Sequence, residues 1–184
     1  MKDVVLPAAG GYDAEAAPCL AYMAAQLDDQ RRRLGEGVAG LLVAELEWHV
    51  APGRNTIGML LAHIAVAETW WMQAGAKGIH ERDEVRRIVK GVIGIEPDED
   101  GMPLAADGRH PAVLAGRTLA DYLAMIDRAR LATHVVLRGW TDETLAEAVT
   151  IKDRRVGKGW ILYHVFEHMV AHHGQILLLR RMLP

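Results

Sequence analysis

The chain of 184 residues carries a formal net charge of −3, with 24 acidic against 21 basic residues. Its basic residues are dispersed apart from Arg31, Arg32 and Arg33, which argues against a nucleic-acid partner. A single cysteine, Cys19, excludes an intramolecular disulfide, and no apolar run reaches the roughly 18 residues of a membrane span, so a cytoplasmic protein without membrane partners is expected. One phenylalanine, abundant Ala, Leu and Met and few β-branched runs predict an all-α fold, organised as one domain over 1–184.

Residues 1–14 lack periodicity and are expected to form a loose N-terminal arm. A first helix is predicted over 17–38, where Leu20, Met23, Ala24, Leu27, Leu34 and Val38 recur at steps of three and four and the arginine triplet takes the wet face. Cys19 reads as a small core filler. Gly40 stops this helix, and a connection over 41–53 is expected to lay Trp48 over one end of a bundle. Asn55 is the expected N-cap of a second helix over 56–74, with Ile57, Leu60, Leu61, Ile64, Ala67 and Trp71 on its inner stripe and His63 on the flank.

Residues 75–117 hold seven glycines, three prolines and the acidic cluster Glu96, Asp98, Glu99 and Asp100. They read as a long crossover with a short helix over 83–92. A connection of that length crosses a bundle or covers a site. Thr118 caps a third helix running to Arg138, with Asp121 placed for a capping box. Residues 141–155 connect onward, with a short paired stretch at 148–151. The last helix, over 157–183, is apolar on nearly every side, which marks a helix that is central or shared with another subunit, and a homodimer formed through it is expected. Four helices of these lengths are the makings of a four-helix bundle.

Four of the nine histidines lie in the last helix, and His164, His168 and His172 follow one another at i, i+4 on one face. An i, i+4 pair can place two imidazoles in one coordination sphere. Spacing alone is equally compatible with two hydrogen-bonded histidines. His63, half-buried on the second helix, needs a partner of its own.

The segments NTIGMLLAHIAVAE at 55–68 and HVFEHMVAHHGQI at 164–176 resemble the two signature helices of the DinB/YfiT-like metalloprotein superfamily. The resemblance implies a bundle of up-up-down-down type binding one divalent metal through His63, His168 and His172. His173 stands where that family often has arginine. His164 becomes a base or structural group beside the site, while Glu167 and His173 point away from it. Trp70, Tyr122 and Met125 are further candidates to line or close a cavity, and Gly174 and Gln175 to pack and satisfy polar groups near it.

Three imidazoles leave a position open on the ion, as catalytic sites do, and zinc and nickel both suit such ligands. The resemblance implies a metal-dependent S-transferase that uses a low-molecular-weight thiol cosubstrate and a small-molecule electrophile. The alternatives are a metal-dependent hydrolase, which would need no thiol, and a stress-linked metal-binding module without turnover. No glutamate of the HExxH kind lies between His168 and His172, so the general base of a metalloprotease is missing.

Overall fold

The computed structural model describes Tyr12 and residues 14–102 and 108–184. Most of the expected N-terminal arm lies outside the described residues. Tyr12, within it, is tied down: its hydroxyl donates to Nδ1 of His134 at 2.6 Å.

Four long helices form the bundle. Helix α1 (Pro18–Val38) begins with proline in its first turn, where the missing amide costs no hydrogen bond. It buries Leu20, Ala24, Leu27, Leu34 and Val38, and Gly40, at φ 82°, turns the chain out of it. A short helix α2 (Val43–Leu46) lies in the next connection. Helix α3 (Ile57–Thr69) follows, then α4 (Arg82–Ile93), α5 (Leu119–Leu137) and α6 (Asp142–Ala146). An antiparallel hairpin of β1 (Ala148–Ile151) and β2 (Arg154–Gly157), with Ile151 opposite Arg154, leads into α7 (Lys158–Met182).

Side-chain pairings give the helix directions. Gly58 lies against Tyr122 and Glu68 bonds Arg130, so α3 and α5 run parallel. Gln30 meets His173 and Gly37 meets Arg180, so α1 and α7 are parallel too. His63 meets His168 while Trp71 meets Trp160, which sets α3 antiparallel to α7. The order is therefore up-down-down-up, a correction to the up-up-down-down arrangement expected. The crossover between α3 and α5 is long because it must return the chain to the end where α3 began. The short helix expected in it is α4, which carries Val85, Val89 and Ile93 into the core.

Three local expectations are also corrected. The N-cap of α3 is Thr56, not Asn55: its extended backbone lets Oγ1 accept the Met59 amide at 3.1 Å. The helix over 56–74 is not continuous, because α3 ends at Thr69 and a π turn (Trp70–Ala74) and a 3₁₀ turn (Gly75–Lys77) complete it. Cys19 is exposed rather than a core filler. It sits in the first turn of α1, where its amide and that of Leu20 donate to the Asp142 carboxylate at 3.1 and 2.9 Å. That contact satisfies two of the amides a helix start leaves open. The Thr118 and Asp121 capping box forms as read.

Among the described residues no helix is long and apolar enough to cross a membrane. Helix α7 buries Ile161, Leu162, Val165, Met169 and Ile176, and turns Tyr163, Val170, Leu178 and Met182 outward.

Candidate metal centre

The fold brings His63 of α3 together with His168 and His172 of α7. One nitrogen from each ring lies within 4.8 Å of the other two. Nε2 of His168 is central, 3.1 Å from Nε2 of His63 and 3.1 Å from Nε2 of His172. Imidazole nitrogens about 2.0–2.1 Å from a tetrahedral zinc stand roughly 3.3 Å from one another, so the spacing suits one ion.

The outward nitrogens fix the tautomers. Nδ1–H of His63 donates to Oδ2 of Asp100 at 2.8 Å, and Nδ1–H of His172 donates to Oε1 of Gln175 at 2.8 Å. A carboxylate can only accept, so Nε2 of His63 is left with its lone pair facing the cluster, and the Gln175 bond does the same for His172. Nε2 of His168 can give a proton to one of them and not to both. At least one lone pair therefore faces the cluster without a donor, which a bound cation resolves. Burial, with the imidazoles of His172, His63 and His164 around it, pushes His168 down to about 3. Burial also lowers His172, against the opposing effect of its bond to Gln175. Neutral rings are the form that ligates a metal.

Asp100 was not singled out in the sequence beyond its place in the acidic crossover. Its side chain is 1% exposed, and its second oxygen accepts the Met102 amide at 2.9 Å. The crossover thus folds one carboxylate back onto the site, and the sequence signal was the length of the connection. Replacing Asp100 by Asn removes the charge and keeps the shape. We expect the metal dissociation constant to rise about 10–100-fold, read by competition with a chelating dye. An unchanged constant would make Asp100 a packing residue.

The other sequence candidates fall elsewhere. His164 stays outside the convergent nitrogens: its Nδ1–H donates to Glu167 at 2.9 Å, and its ring lies 5.7 Å from that of His168. It stacks on Trp160 at 4.8 Å and meets Trp71 edge-on at 5.1 Å. His173 faces α1, where Nδ1 meets Gln30 at 2.9 Å and Nε2 fills the space beside Gly37. Tyr122 and Met125 are fully buried in the core, and the Tyr122 hydroxyl donates to the Leu114 carbonyl, so neither closes a cavity at the histidines. Gly174 has open space where a Cβ would stand, which removes the expected packing role. Trp70 does line a cleft, with Trp71 and Trp160.

An all-α bundle with three histidines meeting across two helices defines the DinB/YfiT-like superfamily as the class of this protein. Solved structures agree on the fold. A conserved protein from Enterococcus faecalis matches with a TM-score of 0.64 at 17% identity, covering 89% of this chain and 95% of that one. A DinB-like protein from Bacillus cereus matches with a TM-score of 0.53 at 18% identity, covering 86% and 90%. No curated protein matches the chain significantly. The sequence model of one family, mycothiol S-transferase, matches residues 22–183, and the chain belongs to that family.

Proposed function

We propose that the protein is a divalent-metal-dependent S-transferase joining a low-molecular-weight thiol, mycothiol by the name of its family, to an electrophilic small molecule. The observation that carries this reading is the convergence of three Nε2 atoms, two with their other nitrogens tied to Asp100 and Gln175. His63, His168 and His172 would hold the ion, zinc or nickel. When bound, it supplies a Lewis acid that favours the thiolate form of a thiol near neutral pH.

The chain's own residues prepare that chemistry. Asp100 holds the His63 ring in one tautomer and orientation, and Gln175 does so for His172. Burial keeps His168 unprotonated. The three rings are half-buried rather than sealed, so small molecules can reach them. Glu167, the carboxylate nearest in sequence to the helical pair, is turned to His164 and is not offered as a general base.

A metal-replete screen of electrophiles against mycothiol and other small thiols tests the reading. Turnover should require the thiol and form an S–C bond to it. Turnover in thiol-free controls would make the protein a hydrolase. The outward apolar face of α7, with Tyr163, Val170, Leu178 and Met182, supports a homodimer as part of the same proposal. Light scattering at micromolar concentration should return twice the chain mass, and a monomer would contradict it.

A further inference from the structure

A cleft of about 1010 Å³ opens beside the hairpin, at the upper end of the sizes that take drug-sized ligands. Three tryptophans line it. Trp70 and Trp71 come from the π turn that ends α3, and Trp160 from the first turn of α7. The ring of Trp71 stands 4.3 Å from Trp70 and 5.4 Å from Trp160, edge to face in both pairs. The π turn presents two consecutive tryptophans to one space, and Gly75 gives Trp71 its room, since a Cβ there would meet the ring at 3.1 Å.

The hairpin supplies the rest of the lining, with Lys152, Arg154 and Arg155 against a single carboxylate, Asp153. Among the described residues none of these three cations makes an ion pair or a side-chain hydrogen bond, whereas the nearby Lys158 is taken by Glu147 at 2.6 Å. The cleft therefore combines flat apolar walls with a net positive charge.

We infer that this cleft binds an aromatic carboxylate, its ring against Trp71 and Trp160 and its carboxylate among Lys152, Arg154 and Arg155. Tryptophan faces and edges favour planar rings. A guanidinium matches a carboxylate in a two-bond fork, which a neutral aromatic cannot use. The position suits an electrophilic cosubstrate: Trp71 and Trp160 both touch His164, whose ring is the next one to His168. Assigning the ligand to the transferase reaction rests on the function proposed above; its chemical class does not.

Calorimetric titration of 2-naphthoate, with naphthalene-2-carboxamide as the neutral control, tests the inference on the full chain. Naphthoate should bind saturably, and the amide at least about tenfold more weakly. Arg154→Gln with Arg155→Gln should weaken naphthoate by about tenfold or more. Both arginines are exposed, so folding is not at stake, and circular dichroism checks it. Trp160→Ala should weaken both compounds. Metal-free protein and His168→Ala should bind naphthoate as the metal-loaded protein does. Equal affinity for the amide, no saturable binding, or binding that disappears with the metal would each overturn the inference. Metal content measured on the same samples separates that failure from failure of the metal centre.

Discussion

His168→Ala should leave the protein unable to hold its metal through dialysis. His168 is the middle group of the cluster, its Nε2 within 3.1 Å of the nitrogens of both partners. Without it, one nitrogen from α3 and one from α7 are left with no ring between them. Structural zinc sites are worth about 10–16 kcal/mol over four ligands, so one ligand accounts for about 3 kcal/mol and a loss of about 10²–10³ in affinity. Metal analysis after dialysis and titration against a chelating dye both read this. His173→Ala is the matched control. It removes an imidazole from the same helix, but one that faces Gln30 and Gly37 of α1, and it should leave affinity unchanged.

The second large effect lies beneath the site. Arg130, 6% exposed, donates to both oxygens of Glu68 at 2.8 and 3.1 Å and to Asp28 at 3.2 Å. Glu68 is itself 1% exposed. Arg130→Met leaves that carboxylate buried without its partner, which costs about 3–5 kcal/mol. In a domain of this size that is a fall of roughly 6–20 °C in melting temperature. Glu68→Leu added to Arg130→Met should recover most of the loss, because an apolar pair of similar volume removes the unpaired charge. Thermal and urea melts of the single and double variants check both statements. Glu68 follows His63 on α3, and the Arg130 guanidinium lies 3.9 Å from Sδ of Met169, next to His168 on α7. Arg130 of α5 thus bonds α3 through Glu68 and touches α7 at Met169, the two helices that carry the histidines, and the single variant should weaken metal binding as well.

Much of this was legible in the sequence, and the reason differs from element to element. The stripes of α1 and α5 and the Thr118 capping box follow from local periodicity and local hydrogen bonding, which a sequence carries in full. The i, i+4 spacing of His168 and His172 is likewise local. Pairing them with His63 needed the resemblance, because periodicity does not fix how one helix is rotated against another. Asp100 was out of reach for the same kind of reason: in the acidic crossover it has neighbours of its own type, and only the tertiary return of the chain selects it for His63. The π turn at Trp70 is also invisible to a helical count, since the apolar pattern runs through it unbroken. Helix directions became readable only from pairs such as Glu68 with Arg130 and Gln30 with His173. Cys19 is exposed between buried Ala17 and Leu20, and the contact of its amide with Asp142 of α6 is a tertiary one that local periodicity does not announce.

Metal analysis of the protein, purified without chelator and without a histidine tag, tests the central claim most directly. The three-histidine centre predicts about one equivalent of divalent metal per chain. Protein that holds none, even after incubation with zinc or nickel, would contradict it.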